Sequence, residues 1–302
     1  MKKLLYILLF VPGFLSGQQL PQFSQRMIDE SVFNPAVIGT RDFSSVKLHH
    51  RSQWLGFDNA PSTQTFSYDG IINEKMGAGG YVLNDITGPT RRLGFNLAYS
   101  YHVKISDYFL SFGLSATFLQ FGIDGTKIDL HQSDDPIVTE DISDKAWKPD
   151  AAFGTYFYND KFYVGFSVQQ LFQSKFRLDG LDGINASMPL TRHYFITSGY
   201  KMELNENIML DPSFQFNGTI GSPAQFDLNV KAYYKNKIMG GLSFRVNDAL
   251  VMLLGIKIQD IFTIAYSYDL TVSKFRKYNS GSHEILIAFH IKKKSSAASI
   301  VQ

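Results

Sequence analysis

Between Leu93 and Gly122 apolar and small polar residues alternate through two consecutive arms. Leu93, Phe95, Leu97, Tyr99, Tyr101 and Val103 fall on one face, and Gly94, Asn96, Ala98, Ser100 and His102 on the other. A period of two is that of a β-strand, whose successive side chains point to opposite faces. After the polar break at 104–107 the alternation resumes, with Leu110, Phe112, Leu114, Ala116 and Phe118 against Ser111, Gly113, Ser115 and Thr117. This predicts an antiparallel hairpin. Each arm is about ten residues or slightly more, the length at which a tilted strand crosses a bilayer, whereas soluble strands average roughly five or six.

The same pattern recurs along the chain and predicts fourteen strands, at about 43–50, 63–69, 78–84, 92–103, 108–122, 151–158, 161–170, 193–204, 207–217, 225–235, 237–246, 249–259, 261–271 and 283–291. Tight turns at 104–107, 159–160, 205–207, 235–237 and 259–260 alternate with longer connections at 50–62, 84–91, 123–150, 171–192, 218–224 and 272–282. A short link at 247–248 falls among the long ones. Short turns at one end and long loops at the other are the arrangement of outer-membrane barrels, with the turns on the periplasmic side.

Charge placement agrees. A Lys or Arg on the lipid face near the midplane costs roughly 2–4 kcal/mol. Here Lys201, Glu203, Asp227, Lys231, Arg245, Lys257 and Asp269 all fall on the polar parity of their strands. A soluble sandwich segregates its faces in the same way, but about eight strands already enclose a side-chain-filled interior. A closed fourteen-stranded barrel must therefore turn its apolar face outward. Tyr101, Tyr108, Tyr158, Phe162 and Tyr234 lie beside the tight turns, where an interfacial aromatic girdle is expected. Pro212, inside strand 207–217, predicts a bulge or kink.

The ends of the chain divide differently. Met1-Lys2-Lys3, the apolar run Leu4 to Leu15 and the pair Ser16-Gly17 form a secretory signal with cleavage expected after Gly17. Residues 18–42 contain Pro21 and Pro35 and show no sustained alternation, so they are read as a periplasmic or plug-like segment ahead of the barrel at 43–291; a basic tail occupies 292–302. No later stretch approaches the ~18 apolar residues of a membrane helix. The chain has no cysteine, which excludes disulfides, thiolate metal sites and a lipoprotein anchor. A net charge of +2 with no basic stripe argues against a nucleic-acid partner.

The inward face is built of small residues, among them Gly94, Ala98, Ser100, Ser111, Gly113, Ser115, Gly165, Ser167 and Gly241. Such a lining leaves room, and either water or a plug formed by residues 18–40 is expected to fill it, with Phe23, Asn34 and Pro35 as the candidate plug or periplasmic contacts. There is no His-Glu-x-x-His, no Gly-x-Ser-x-Gly and no glycine-rich loop before a helix, so no enzyme and no cofactor is expected. His102, His193 and His290 are read as hydrogen-bonding groups of the wall or lumen. The loop 123–150 is rich in acids (Asp124, Asp129, Asp134, Asp135, Glu140, Asp141, Asp144), but Lys127, Lys145 and Lys148 interrupt it and its spacing matches no calcium loop. It reads as a solvated external loop without a metal. Arg51, Trp54, Phe57 and Asp58 in the first external loop are candidate partner-binding residues, since large aromatics and Arg anchor interfaces; packing onto the barrel rim is the alternative. Lys292, Lys293 and Lys294 lie on the periplasmic side, as a docking site or as a head-group anchor.

Several motifs resemble the PorP/SprF family of outer-membrane proteins of the type IX secretion system of Bacteroidota. Pro21-Gln22-Phe23-Ser24-Gln25 followed by Asn34-Pro35-Ala36 and Gly39 is similar to that family's opening motif. His50-Arg51-Ser52-Gln53-Trp54-Leu55-Gly56-Phe57, with Pro61 and Thr63-Gln64-Thr65-Phe66-Ser67, resembles its first-loop signature. Arg192-His193-Tyr194-Phe195, Asp227-Leu228-Asn229 and Ser280-Gly281-Ser282-His283-Glu284-Ile285 extend the resemblance across nearly the whole mature chain. It implies a non-enzymatic outer-membrane protein needed for export or surface attachment of cargo such as gliding adhesins. Its implied partners are cargo or a cargo's C-terminal sorting domain, other secretion components on the periplasmic side, and outer-membrane lipid.

Overall fold

A computed structural model describes residues 20–124, 127, 143–178 and 186–292. The alternating stretches form strands, those of the first half up to β6 reaching beyond the bounds the periodicity delimits and most later ones within a residue or two of them. They are β1 (Phe43–Ser52), β2 (Ser62–Asn73), β3 (Met76–Thr87), β4 (Thr90–Ile105), β5 (Tyr108–Asp124), β6 (Ser143–Tyr158) and β7 (Phe162–Gln169). A small hairpin, β8 (Lys175–Leu178) and β9 (Ala186–Pro189), lies in the following loop. The wall continues through β10 (His193–Tyr200), β11 (Met202–Asn205), β12 (Ile208–Thr219), β13 (Gln225–Tyr234), β14 (Ile238–Arg245), β15 (Ala249–Ile258), β16 (Phe262–Thr271) and β17 (Ser282–Lys292).

Each wall strand pairs antiparallel with its neighbours. β1 pairs with β17, and β10 with both β7 and β12, so the sheet closes on itself. β10 and β11 are two halves of one strand, which makes fourteen around the barrel. Closure leaves no exposed strand edge, the condition for crossing a bilayer with strands.

The gap between β10 and β11 lies opposite Pro212. Pairing with β12 stops at Gly199↔Ser213 and resumes at Met202↔Leu210 in the same register, while β12 pairs with β13 unbroken through Pro212↔Val230. The expected bulge is thus a two-residue interruption without a register shift. Proline has no N–H to give the ladder.

The two faces separate as the alternation requires. Leu48, Phe66, Leu97, Leu114, Leu228, Leu254 and Ile287 are exposed on the outside of the wall. Lys47, Asp69, Asp85, Asp150, Asp211, Asp227, Lys231, Arg245, Asp269 and Glu284 are all buried inside. Tyr101, Tyr108 and Tyr234 stand exposed near the tight turns, where Tyr108 stacks on Phe157 at 5.0 Å between centroids. Tyr158 does not join them. It follows the inward parity of Asp150 and Ala152, stacks on Phe109 at 5.4 Å and meets buried His102 at 6.5 Å.

Candidate functional site

The lumen holds the chain's own N-terminal segment. Residues 20–41 carry no alternation and cannot join the ladder, so their backbone groups need other partners. Two 3-10 turns, Ser24–Met27 and Pro35–Val37, satisfy some of them. Asn34 caps the second, its side-chain oxygen accepting from the Ala36 N–H at 3.0 Å, and Pro35 occupies the first helical position, where a missing N–H costs nothing. The barrel wall satisfies the rest. Ser100 Oγ donates to the Ile38 carbonyl at 2.6 Å, Ser111 Oγ to Ala36 at 2.7 Å, and Ser167 Oγ and Gln169 Nε2 to Phe33 at 2.7 and 2.6 Å. Asn34 Nδ2 donates to the Thr155 carbonyl at 3.2 Å.

The glycines of the inward face explain how the segment comes so close. A Cβ added at Gly113 would lie 2.2 Å from Ala36 N, and one at Gly154 2.0 Å from Asn34 Oδ1. These small residues are therefore contact points for a plug rather than the lining of an open bore. Phe23, Ala36, Val37 and Ile38 are buried, and Phe23, Phe33, Leu83 and Phe195 form one apolar cluster inside the barrel.

Nearer the long-loop end a network of charges grips Ser24 and Gln25. Their backbone N–H groups donate to the two carboxylate oxygens of Glu284, each at 2.8 Å. Glu284 also pairs with Arg51 at 2.7 Å and meets His49 Nε2 at 2.7 Å. The Ser24 hydroxyl donates to Asp269 at 2.6 Å and accepts from Arg51 and Arg245 at 3.0 and 2.9 Å. Arg51 and Arg245 approach Asp269 at 2.8 and 3.3 Å. Charges this deeply buried are tolerated only when paired and hydrogen-bonded.

The plug adds charges of its own. Arg26 donates to Gln215 at 3.0 Å and lies over the rings of Phe33 and Phe195, 5.4 Å from each. Asp29 bonds Lys47 at 2.7 Å, and Lys47 also contacts Asp69. Lys231 donates to the Met27 carbonyl and pairs with Asp211 at 2.8 Å. Burial alone would raise the Asp29 carboxyl, but Lys47 and Arg41 hold it well below the usual range. Glu30 has no such close partner. Burial lifts its carboxyl to about 7, against the opposing pull of Lys231, Arg26 and Arg41.

Phe23, Asn34 and Pro35 thus sit inside the barrel. Arg51 is not a surface residue. β1 runs to Ser52, so Arg51 shares the inward parity of Lys47 and His49 and is 2 % exposed; its placement in the first external loop is corrected accordingly. Trp54 and Phe57 lie at the external rim, each against Phe275, at 4.8 and 5.5 Å between centroids, and Asp58 is exposed beside them. Lys292 is exposed and faces Asp260 at 3.4 Å; Lys293 and Lys294 lie outside the described residues.

His102, His193 and His290 each hydrogen-bond within the barrel, to Ser100 at 3.2 Å, the Thr191 carbonyl at 2.7 Å and Thr263 at 2.8 Å. Much of the acidic loop lies outside the described residues; of its seven acids Asp124 alone is described with its side chain, paired with Lys127 at 3.6 Å, and Lys145 and Lys148 lie on β6. Among the described residues no His, Asp or Glu group is arranged to hold a metal. The ion network was missed from sequence. Its one sequence signal is that Arg51, Asp227, Lys231, Arg245, Asp269 and Glu284 share the polar parity of their strands.

Fold and site define an outer-membrane β-barrel closed by an N-terminal plug. The profile of the type IX secretion system membrane protein PorP/SprF matches residues 15–289, and the chain belongs to that family. No curated protein matches the sequence significantly. Among solved structures the barrel is similar to a Pseudomonas aeruginosa FadL homologue, at 11% identity with a TM-score of 0.50, covering 87% of this chain and 93% of that one. It is also similar to the Pseudomonas putida toluene transporter TodX, at 10% identity and a TM-score of 0.50, covering 91% and 95%. A TodX deltaS2S3 mutant, described as a monoaromatic hydrocarbon channel, gives 10% identity and a TM-score of 0.52, covering 88% and 94%. At such identities the likeness is one of fold alone. The protein is an integral outer-membrane barrel of the type IX secretion family.

Proposed function

We propose that this protein is a non-enzymatic, closed barrel that serves the export or surface attachment of cargo proteins such as adhesins. It does so by contacts on its external loops and periplasmic rim, with cargo or a cargo's sorting domain on one side and other secretion components on the other. One observation carries this reading: the lumen is occupied by residues 20–41, held by charged groups of β1, β13, β14, β16 and β17 and by Ser, Gln and backbone groups of β4 to β7. A plug bonded on every side leaves the surfaces, not the bore, as working parts.

The test is gentle detergent extraction followed by identification of co-purifying proteins, with the surface proteome of a deletion strain alongside. Secretion components or cargo on the barrel, and loss of a subset of surface proteins from the deletion strain, are the expected results. Recovery of the bare barrel with an unchanged surface proteome would overturn the reading.

A second reading, an outer-membrane pore or hydrophobic-substrate channel, draws on the apolar groove of about 820 Å³ beside Pro212, lined by Tyr200, Phe214, Leu228, Val230 and Leu242. Large, stable single-channel conductance from wild-type protein would favour it.

A further inference from the structure

The long-loop edge of the barrel is chemically uneven. On β1 to β4 a row of polar residues sits where the outward apolar face ends. His50, Gln64 and Asn84 are register partners on consecutive strands and share the outward parity of Leu48, Phe66 and Val82. They are joined side chain to side chain: Gln64 Nε2 reaches His50 Nδ1 at 3.3 Å, Asn84 Nδ2 donates to Gln64 Oε1, and Arg91 Nε donates to Asn84 Oδ1 at 2.8 Å. Arg91 is exposed and shares the outward parity of Leu93 and Phe95.

The loops above continue this edge. Leu55 and residues 280–281 exchange backbone hydrogen bonds at 2.8 and 2.7 Å, and Gly88 N–H donates to the Asn59 carbonyl at 3.0 Å, so the connections after β1, β3 and β16 form one rim. The 3-10 turn Lys274–Tyr278 has no buried residue. It carries exposed Lys274, Arg276 and Lys277, none in an ion pair among the described residues. Phe275 packs among Trp54, Phe57 and Tyr278 between them. Residues 218–224, between β12 and β13 on the far side, contain no Lys or Arg.

We propose that this edge, over β16, β17 and β1 to β4, binds the phosphorylated saccharide head group of an outer-leaflet glycolipid. The ladder lies on the lipid-facing side of the wall, one step beyond the apolar belt, where the head-group layer meets the protein. An Arg fork and clustered ammonium groups suit a phosphate, amides suit sugar hydroxyls, and rim aromatics are amphipathic at this depth. Asp58 is the exposed acid on the first loop of this rim.

The test uses the full chain in nanodiscs carrying either a phosphorylated disaccharide glycolipid or its dephosphorylated form, with bound glycolipid read by native mass spectrometry. The phosphorylated form is expected to remain bound and the dephosphorylated form to be lost. K274E/R276E/K277E should lower retention about tenfold, corresponding to about 1.4 kcal/mol, and Arg91→Gln should lower it by a smaller factor. Ala224→Glu on the opposite edge should leave it unchanged. Heat-modifiable gel migration establishes that each variant is a folded barrel. Equal retention of both lipid forms, indifference to the triple variant, or an equal loss in Ala224→Glu would overturn the proposal. So would displacement of the glycolipid by a soluble acidic protein at low concentration.

Discussion

Arg51 and Glu284 face each other across the seam where the first strand meets the last, as direct register partners, and their side chains pair inside the barrel at 2.7 Å. The same carboxylate accepts the backbone of Ser24 and Gln25. Barrel closure and plug seating therefore share one group. Glu284→Ala leaves Arg51 buried beside Asp269 alone and strands two plug N–H groups. Breaking one partner of a buried pair costs roughly 3–5 kcal/mol. A fall in unfolding free energy of that size, read from denaturant titration, is expected, and Glu284→Gln, which keeps an acceptor but loses the charge, should fall by less.

Gly113 tests the plug by shape alone. A side chain there meets the backbone of Pro35 and Ala36 rather than a flexible tip, with a Cβ only 2.2 Å from Ala36 N. Gly113→Val should unseat residues 33–38 while the barrel still folds. Planar-bilayer recording should show closed wild-type channels, with conductance appearing in Gly113→Val and on deletion of residues 20–40. A wild-type barrel that already conducts would contradict the role given to the plug.

Glu30 gives the plug a pH dependence of definite sign. Its carboxyl is raised to about 7 in the folded protein, above the roughly 4.3 of an unfolded chain. Between those values the folded state binds more protons, so its stabilising contribution is present at low pH and is lost as pH rises through about 7. Proteolysis or hydrogen exchange of residues 20–40 should be faster at pH 8 than at pH 5, and Glu30→Gln should flatten that difference. An unchanged slope in the variant would place the titration elsewhere.

At the rim, Phe275 is the shared neighbour of Trp54 and Phe57. Aromatic pairs contribute about 0.5–1.5 kcal/mol each beyond area burial. Phe275→Ala should therefore raise the protease sensitivity of residues 53–61 with little change in barrel stability. If the loop's motif recruits a partner, Trp54→Ala and Phe57→Ala should lower co-purification of that partner while the barrel's melting is unmoved.

The wall was legible because its signal is local and repeated. Fourteen stretches with a period of two, separated by turns of alternating length, leave few other closed arrangements, and the pairings follow chain order. The plug was legible only as one of two occupants, since Gly113 and Gly154 read equally as the lining of an aqueous bore or as clearance for another backbone. Arg51 was misplaced for a boundary reason. Ending the first strand near residue 50 puts it in the loop with Trp54, whereas the strand's two further residues carry its parity inward. The ion network could not be read because its members are far apart in sequence, Arg245 lying 24 residues from Asp269 and Arg51 233 from Glu284. Period-two patterning says which face a charge takes and nothing about what it meets there. Tyr158 failed similarly: nearness to a turn suggested the girdle, and parity overruled it.

Ser24 and the oxygen it binds on Glu284 are 260 residues apart. Closing a loop of that length costs chain entropy that grows as the logarithm of its length, and the carboxylate takes its place only when β17 pairs with β1. The receptor for the beginning of the chain is thus made by its end. Asp269 and Arg245 reach the Ser24 hydroxyl from β16 and β14, but the backbone N–H groups of Ser24 and Gln25 find their acceptor only on the closing strand. A barrel assembled without its final strand would be left not only unsealed at the wall but also without the clasp that shuts its interior.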